Sequence, residues 1–210
     1  MGRLSKDDLK EISAKTRADY QGRALSFWEG TKDHDVTQNI NALLDAIEGD
    51  APYTILDLGC GPGRDIAAFK RMGHEPIGLD GTPAFCAMAR QLTGCEVWNQ
   101  DFLALELPSA YFQGVFANAT LFHVPSQELP GVLKRLNQTL VKRGVLFSSN
   151  PRGENVEGWN AERYGTYHDL ESWTRFMNAA GFEMVDHYYR PPGLPRDQQP
   201  WLASTWRKVE

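Results

Sequence analysis

Three glycines at alternate positions, Gly59, Gly61 and Gly63, follow a short apolar run that closes on Asp57 in the segment ILDLGCGPG. The run predicts a buried strand, and the glycines let the chain turn tightly and bring its backbone against a ligand with no Cβ in the way. That is the chemistry of a nucleotide-type binding loop. A dinucleotide fingerprint would need a glycine three places after Gly61, and that place holds Arg64. Further candidates stand at or just after the ends of later apolar runs: Asp80 with Gly81, Asp101 with Phe102, and Asn118. Ligands of open α/β sheets sit outside the carboxyl ends of the strands, so residues there are suspect.

The elements that must position these groups alternate after residue 50, which predicts α/β architecture with a mostly parallel sheet and helices on both faces. Strands are expected at 55–58, PIGLD, CEVW, GVFAN and VLFSS, and in a final pair around 182–189 and 201–207 joined by the turn RPPGLPRDQQP. Helices are expected from Ile66 and Phe69 to about Gly73, from a Thr82 cap with Pro83 in the first turn, over 126–141, and over 169–180. Two more precede the sheet. One runs from a Ser5 cap, with Asp8 three places on, to about Tyr20; the other carries Val36, Ile40, Leu43, Leu44 and Ile47 at helical spacing. Residues 1–210 therefore read as one domain, with 1–50 a helical cover and 51–210 the sheet core.

A formal net charge of −5 over 210 residues, with both signs interspersed, offers no basic face for nucleic acid. No apolar stretch reaches the ~20 residues of a membrane span, and MGRLSKDDLKEIS is too polar for a secretory signal. Cys60, Cys86 and Cys95 match neither a disulfide framework nor a zinc site, and no metal is expected. A cytoplasmic protein with a small-molecule substrate is the expectation.

An acidic residue followed by G-x-G-x-G resembles the first motif of class I S-adenosylmethionine-dependent methyltransferases. The resemblance implies a three-layer Rossmann-like fold whose seven-stranded sheet ends in an antiparallel hairpin. It implies S-adenosylmethionine as cofactor and S-adenosylhomocysteine as product, bound by Asp57, Gly59, Gly61, Gly63, Arg64, Asp80, Gly81, Asp101, Phe102 and Asn118. Within that set Asp80 would accept from the ribose hydroxyls, and Asp101 with Phe102 would hold the adenine. Arg64 would either meet the cofactor carboxylate or stand solvated in a first helical turn. Asn118 and His123 are the candidates for direct chemistry; the alternatives are a turn asparagine and a loop histidine.

Residues 150–168, NPRGENVEGWNAERYGTYH, are long for a connector and too aromatic for a disordered tether, so they are expected to form a lid loop over a polar substrate. FWEGTKDHDVTQNI would supply the opposite wall through Trp28, His34 and Asp35. These two segments, with FANATLFHVPSQELP and HYYRPPGLPRDQQPWLAS, closely resemble the methyltransferase domain of ovothiol biosynthesis enzymes from about Tyr20 onward. In that family a methyl group goes to an imidazole nitrogen of 5-thiohistidine, giving ovothiol A, and full-length members also carry an iron-dependent sulfoxide synthase. The chain is accordingly expected to stand alone or to be one domain of such a protein, fused to or cooperating with a sulfoxide synthase. Substrate contacts are expected from His34, Asp35, Arg152, Tyr164 and Tyr167, with Arg152 on the amino-acid carboxylate. Gln113, where related sequences usually carry aspartate, and Lys142-Arg143-Gly144 depart from the pattern. Two other readings remain open: a methyltransferase for another small imidazole, amine or thiol, and a non-catalytic S-adenosylmethionine-binding module.

Overall fold

A computed structural model describes residues 3–209. Seven strands form one sheet in the order β3(Val97–Asn99), β2(Glu75–Asp80), β1(Thr54–Leu58), β4(Phe112–Asn118), β5(Leu140–Pro151), β9(Trp201–Lys208) and β8(Phe182–Arg190). All neighbours pair in parallel except β9, which is antiparallel to both β5 and β8. This is the expected Rossmann-like sheet with its antiparallel C-terminal hairpin.

Period-2 alternation divides the strands' side chains between two faces. Leu56, Leu58, Val115, Ala117 and Leu146 pack on one side with α6(Leu129–Thr139) and α7(Leu170–Ala179) through Leu133, Leu136, Trp173 and Met177. Ile55, Phe116, Val145 and Phe147 pack on the other with Ile40 and Leu43 of α3(Thr37–Leu44) and Phe69 of α4(Arg64–Arg71). With helices on both faces, the central strands carry almost no exposed side chain. No described helix is long and apolar enough to cross a membrane.

The sheet order reverses between β1 and β4, and the loops leaving β1, β2, β3 and β4 open on the same side of that switch point. Covering it is α1(Lys6–Gly22), started by the expected capping box: Asp8 N–H donates to Ser5 Oγ at 3.1 Å and Ser5 N–H to Asp8 Oδ2 at 2.7 Å. α5(Pro83–Thr93) follows β2 with Pro83 in its first turn, although the Thr82 side chain makes no cap bond.

Several sequence expectations need correction. Ala24–Thr31, which belonged to neither expected N-terminal helix, is itself a helix, α2, so three helices and not two precede the sheet. The third strand starts at Val97 and α6 at Leu129, while Leu140 already belongs to β5. Residues 150–168 are not a loop: β6(Val156–Asn160) and β7(Arg163–Tyr167) form a separate antiparallel hairpin pairing Trp159 with Tyr164. Gln113 does what a shorter acceptor would do, since its Oε1 takes the Thr54 N–H at 2.8 Å. Lys142-Arg143-Gly144 lies inside β5 where the β4–β5 register shifts, with Arg143 at φ 58° and its guanidinium on Glu48.

Candidate active site

All three loop glycines take positive φ, 71°, 52° and 97° at Gly59, Gly61 and Gly63. Their roles differ. A Cβ at Gly63 would stand 2.9 Å from the Ala89 backbone, so that glycine serves the close packing of the loop on α5. A Cβ at Gly61 would meet only the Phe27 ring, at 3.7 Å; its backbone faces an open cavity. Gly61 N–H donates to Asp80 Oδ2 at 3.0 Å, and Thr82 N–H to Asp80 Oδ1 at 2.7 Å. Burial pushes the Asp80 carboxyl above its ordinary value, against these two bonds, which pull it down.

The cavity has a volume of about 810 Å³. Of the expected cofactor residues, Gly59, Gly61, Arg64, Asp80, Gly81, Asp101, Phe102 and Asn118 line it. Asp57 and Gly63 do not. Asp57 lies beneath the loop, where burial first and the Asp65 charge second raise its carboxyl well above the usual range, while the Ile66 N–H bonds to it. It scaffolds the start of α4. The Arg64 guanidinium forks onto Asp65 at 2.7 and 2.9 Å and donates to the Thr31 carbonyl at 2.9 Å, tying the loop to α2. Asp101 takes the Ser13 hydroxyl at 2.5 Å and lies 3.3 Å from Arg17, so α1 clamps that end.

At the other end lies a chain of side-chain amides. Tyr188 Oη and Arg190 Nη1 both donate to Asn39 Oδ1, at 2.8 and 2.9 Å; Asn39 Nδ2 donates to Asn118 Oδ1 at 2.8 Å; Asn118 Nδ2 reaches Asp65 Oδ2 at 3.4 Å. Two donors on one oxygen fix the Asn39 amide, and that in turn fixes Asn118.

His123 also lines the cavity. Its Nδ1 lies 2.7 Å from the Tyr164 carbonyl oxygen, which can only accept, so Nδ1 carries the proton. Nε2 then accepts from the Tyr20 hydroxyl at 2.8 Å, and Tyr20 Oη accepts from Arg163 Nη1 at 3.2 Å. Burial lowers the ring to about 4. A neutral imidazole with its lone pair engaged suits positioning Tyr20, and its lowered pKa makes it a weak base.

Of the expected substrate residues, His34, Asp35, Tyr164 and Tyr167 border the cavity. The Tyr164 ring packs edge-on against Trp159, 5.6 Å between centroids. Arg152 is a correction. Its backbone N–H and guanidinium go to the carbonyls of Pro200, Gln199 and Arg196, so it braces the β8–β9 connection outside the cavity. Sequence reading missed Tyr20, Asn39 and Arg190, which the fold brings together from distant segments. Tyr20, Phe27 and Phe85 form an aromatic cluster, with centroids 5.1 to 5.7 Å apart, over the glycine loop. Among the described residues no group of three or more His, Cys, Asp or Glu could hold a metal ion.

Residues 55–144 match a family described as methyltransferase domain. The chain is 27% identical over 214 residues to an uncharacterized methyltransferase of Schizosaccharomyces pombe, an alignment covering 89% of this chain and 78% of that one. It is 31% identical over 120 residues to trans-aconitate 2-methyltransferase of an Azoarcus species, covering 55% of this chain and 46% of the relative. The solved structure of Burkholderia thailandensis 1,6-didemethyltoxoflavin-N1-methyltransferase, with bound 1,6-didemethyltoxoflavin and S-adenosylhomocysteine, aligns with a TM-score of 0.79 at 23% identity. That alignment covers 100% of this chain and 93% of that one, and at this identity the likeness speaks for the fold.

Proposed function

We propose that this chain, a member of the class I S-adenosylmethionine-dependent methyltransferases, methylates an imidazole nitrogen of 5-thiohistidine to give ovothiol A. One observation carries the reading: a single cavity has a carboxylate-and-backbone cradle at Gly61 and Asp80, and an amide and arginine network at Asn39, Asn118 and Arg190. The substrate class within that cavity follows the segments that resemble ovothiol enzymes, since Trp28, His34, Asp35 and Tyr167 from those segments border it.

The residues present fit the cofactor. Asp80 keeps lone pairs beyond those used by Gly61 and Thr82, which suits two ribose hydroxyls, and Phe102 beside Asp101 suits a purine face and its exocyclic amine. Bound there, S-adenosylmethionine supplies a sulfonium methyl that is already a strong electrophile. The protein's task is alignment and exclusion of water. Tyr20, Phe27 and Phe85 cover the loop, and Asn118, held by Asn39 and Asp65, presents a fixed amide edge at the strand end. An imidazole of pKa ~6.5 is largely neutral at physiological pH, so no strong base is required. Selectivity needs more: the substrate's sulfur is the softer nucleophile and must be held away from the methyl, a role suited to Asn118, His34 and Tyr167. A sulfoxide synthase, fused or separate, would act upstream by forming the ring C–S bond, and its sulfoxide would then have to lose the second carbon group on sulfur and be reduced before the thiohistidine reaches this site. Incubation with S-adenosylmethionine and 5-thiohistidine, followed by mass spectrometry, tests the reading: one added methyl group per substrate supports it, and unchanged thiohistidine refutes it.

A further inference from the structure

We propose that Arg190 and Asp35 form the subsite for the amino-acid end of the substrate, the carboxylate on the Arg190 guanidinium and the ammonium on the Asp35 carboxylate. The inference rests on the 5-thiohistidine reading and names the residues that select an amino acid over a bare imidazole amine.

Four arginines line the cavity, and three are already paired: Arg17 with Asp101 at 3.3 Å, Arg64 with Asp65 at 2.7 Å, and Arg163 with Asp19 at 3.5 Å. Arg190 makes no ion pair with a described residue. Neutral oxygens hold it instead, Nη1 on Asn39 Oδ1 at 2.9 Å and Nη2 on the Asp35 carbonyl at 3.1 Å. A guanidinium carries five N–H donors, so donors remain for a ligand. Neutral acceptors orient the planar fork and leave it with no hydrogen-bonded counter-charge, which is what a carboxylate site requires.

Asp35 provides the opposite charge on the same rim. Its Oδ1 takes the Thr37 N–H at 2.9 Å, and that bond, the Thr37 hydroxyl and the nearby Arg190 charge hold the carboxyl below its ordinary value. Asp35 and Arg190 meet through a backbone carbonyl without forming an ion pair, so a fixed positive and a fixed negative group stand side by side. A zwitterion complements both. The subsite is also correctly placed: Arg190 shares Asn39 with Asn118, so it lies one side chain from the strand end at the cofactor cleft. Asp35 is exposed and Arg190 partly buried, so the arginine should carry most of the discrimination.

The test compares kcat/KM for 5-thiohistidine and for its decarboxylated amine in the parent, Arg190→Ala and Arg190→Lys, and for the deaminated acid in Asp35→Asn. The ratio between two substrates does not depend on how much variant is folded. Arg190→Ala should cut the preference for the amino acid roughly 10- to 100-fold, mostly through KM, with Arg190→Lys between. Asp35→Asn should narrow the preference over the deaminated acid by a smaller factor. If the parent methylates thiohistidine and Arg190→Ala keeps the parent's preference, the subsite is wrong while the reading stands. If the parent methylates none of the three, the reading falls and the subsite with it.

Discussion

The Tyr20 hydroxyl stands 2.8 Å from Nε2 of His123 and is the donor in that bond, because Nδ1 of the same ring gives its proton to the Tyr164 carbonyl. The bond joins α1, which covers the cavity, to the segment after β4, and through Tyr164 to the β6–β7 hairpin. A histidine that sequence alone offers as a base thus becomes the hub that locks the cover down.

The pH dependence follows from its sign. His123 is held at about 4, below its ordinary 6.5, so between those values the unfolded chain binds a proton that the folded chain refuses. Its contribution to stability is present above pH 6.5 and is lost as the pH falls toward 4, by roughly 3 kcal/mol in all. Urea unfolding at a series of pH values should show a steeper acid loss in the parent than in His123→Gln. Parallel curves would mean that the ring is solvated.

Asp80→Ala should weaken S-adenosylhomocysteine binding by ~1.5–3 kcal/mol, since it removes a charged acceptor and frees the Gly61 N–H. Calorimetric titration reads this directly, and NAD should not compete. Parent-like affinity in the variant would move the ribose contact elsewhere.

Gly61→Val and Gly63→Ala should separate two uses of glycine. A side chain at Gly61 enters the open cavity, so cofactor affinity falls more than in Asp80→Ala. At Gly63 even a methyl meets the Ala89 backbone with φ at 97°, so stability falls by ~1–3 kcal/mol. Thermal denaturation and titration of both variants check the division.

Much of the glycine-loop end was legible because it is local. The apolar run before Asp57, the three glycines and the strand ends at Asp80 and Asn118 are readable in one pass, and eight of the ten expected cofactor residues line the cavity. The substrate end was not, because it is assembled at long range: Asn39 and Asn118 are 79 positions apart, Asn39 and Arg190 151. The β6–β7 hairpin escaped notice for a chemical reason. Its tight turn uses Ala161 at φ 52° where Asn or Gly would announce it, and the strands lack clean alternation. Arg152 and Arg190 both follow from register, since Pro151 and Arg190 each pair with Trp201; the chain turns Arg152 toward the β8–β9 connection and leaves Arg190 at the cavity.

Arg152→Ala accordingly should destabilise the 191–200 segment by ~1–2 kcal/mol, through loss of its bonds to backbone carbonyls, and leave the Michaelis constant for thiohistidine near the parent value. Hydrogen exchange across 191–200 together with steady-state kinetics would show it. A raised Michaelis constant with unchanged exchange would return Arg152 to the substrate.

The most direct measurement is the position of the transferred methyl. With S-adenosylmethionine labelled with ¹³C at its methyl and 5-thiohistidine as acceptor, the product spectrum should show the label correlated with an imidazole ring proton, as expected for an N-methyl group. A label on sulfur or on the α-amino group, or no transfer at all, would contradict the account.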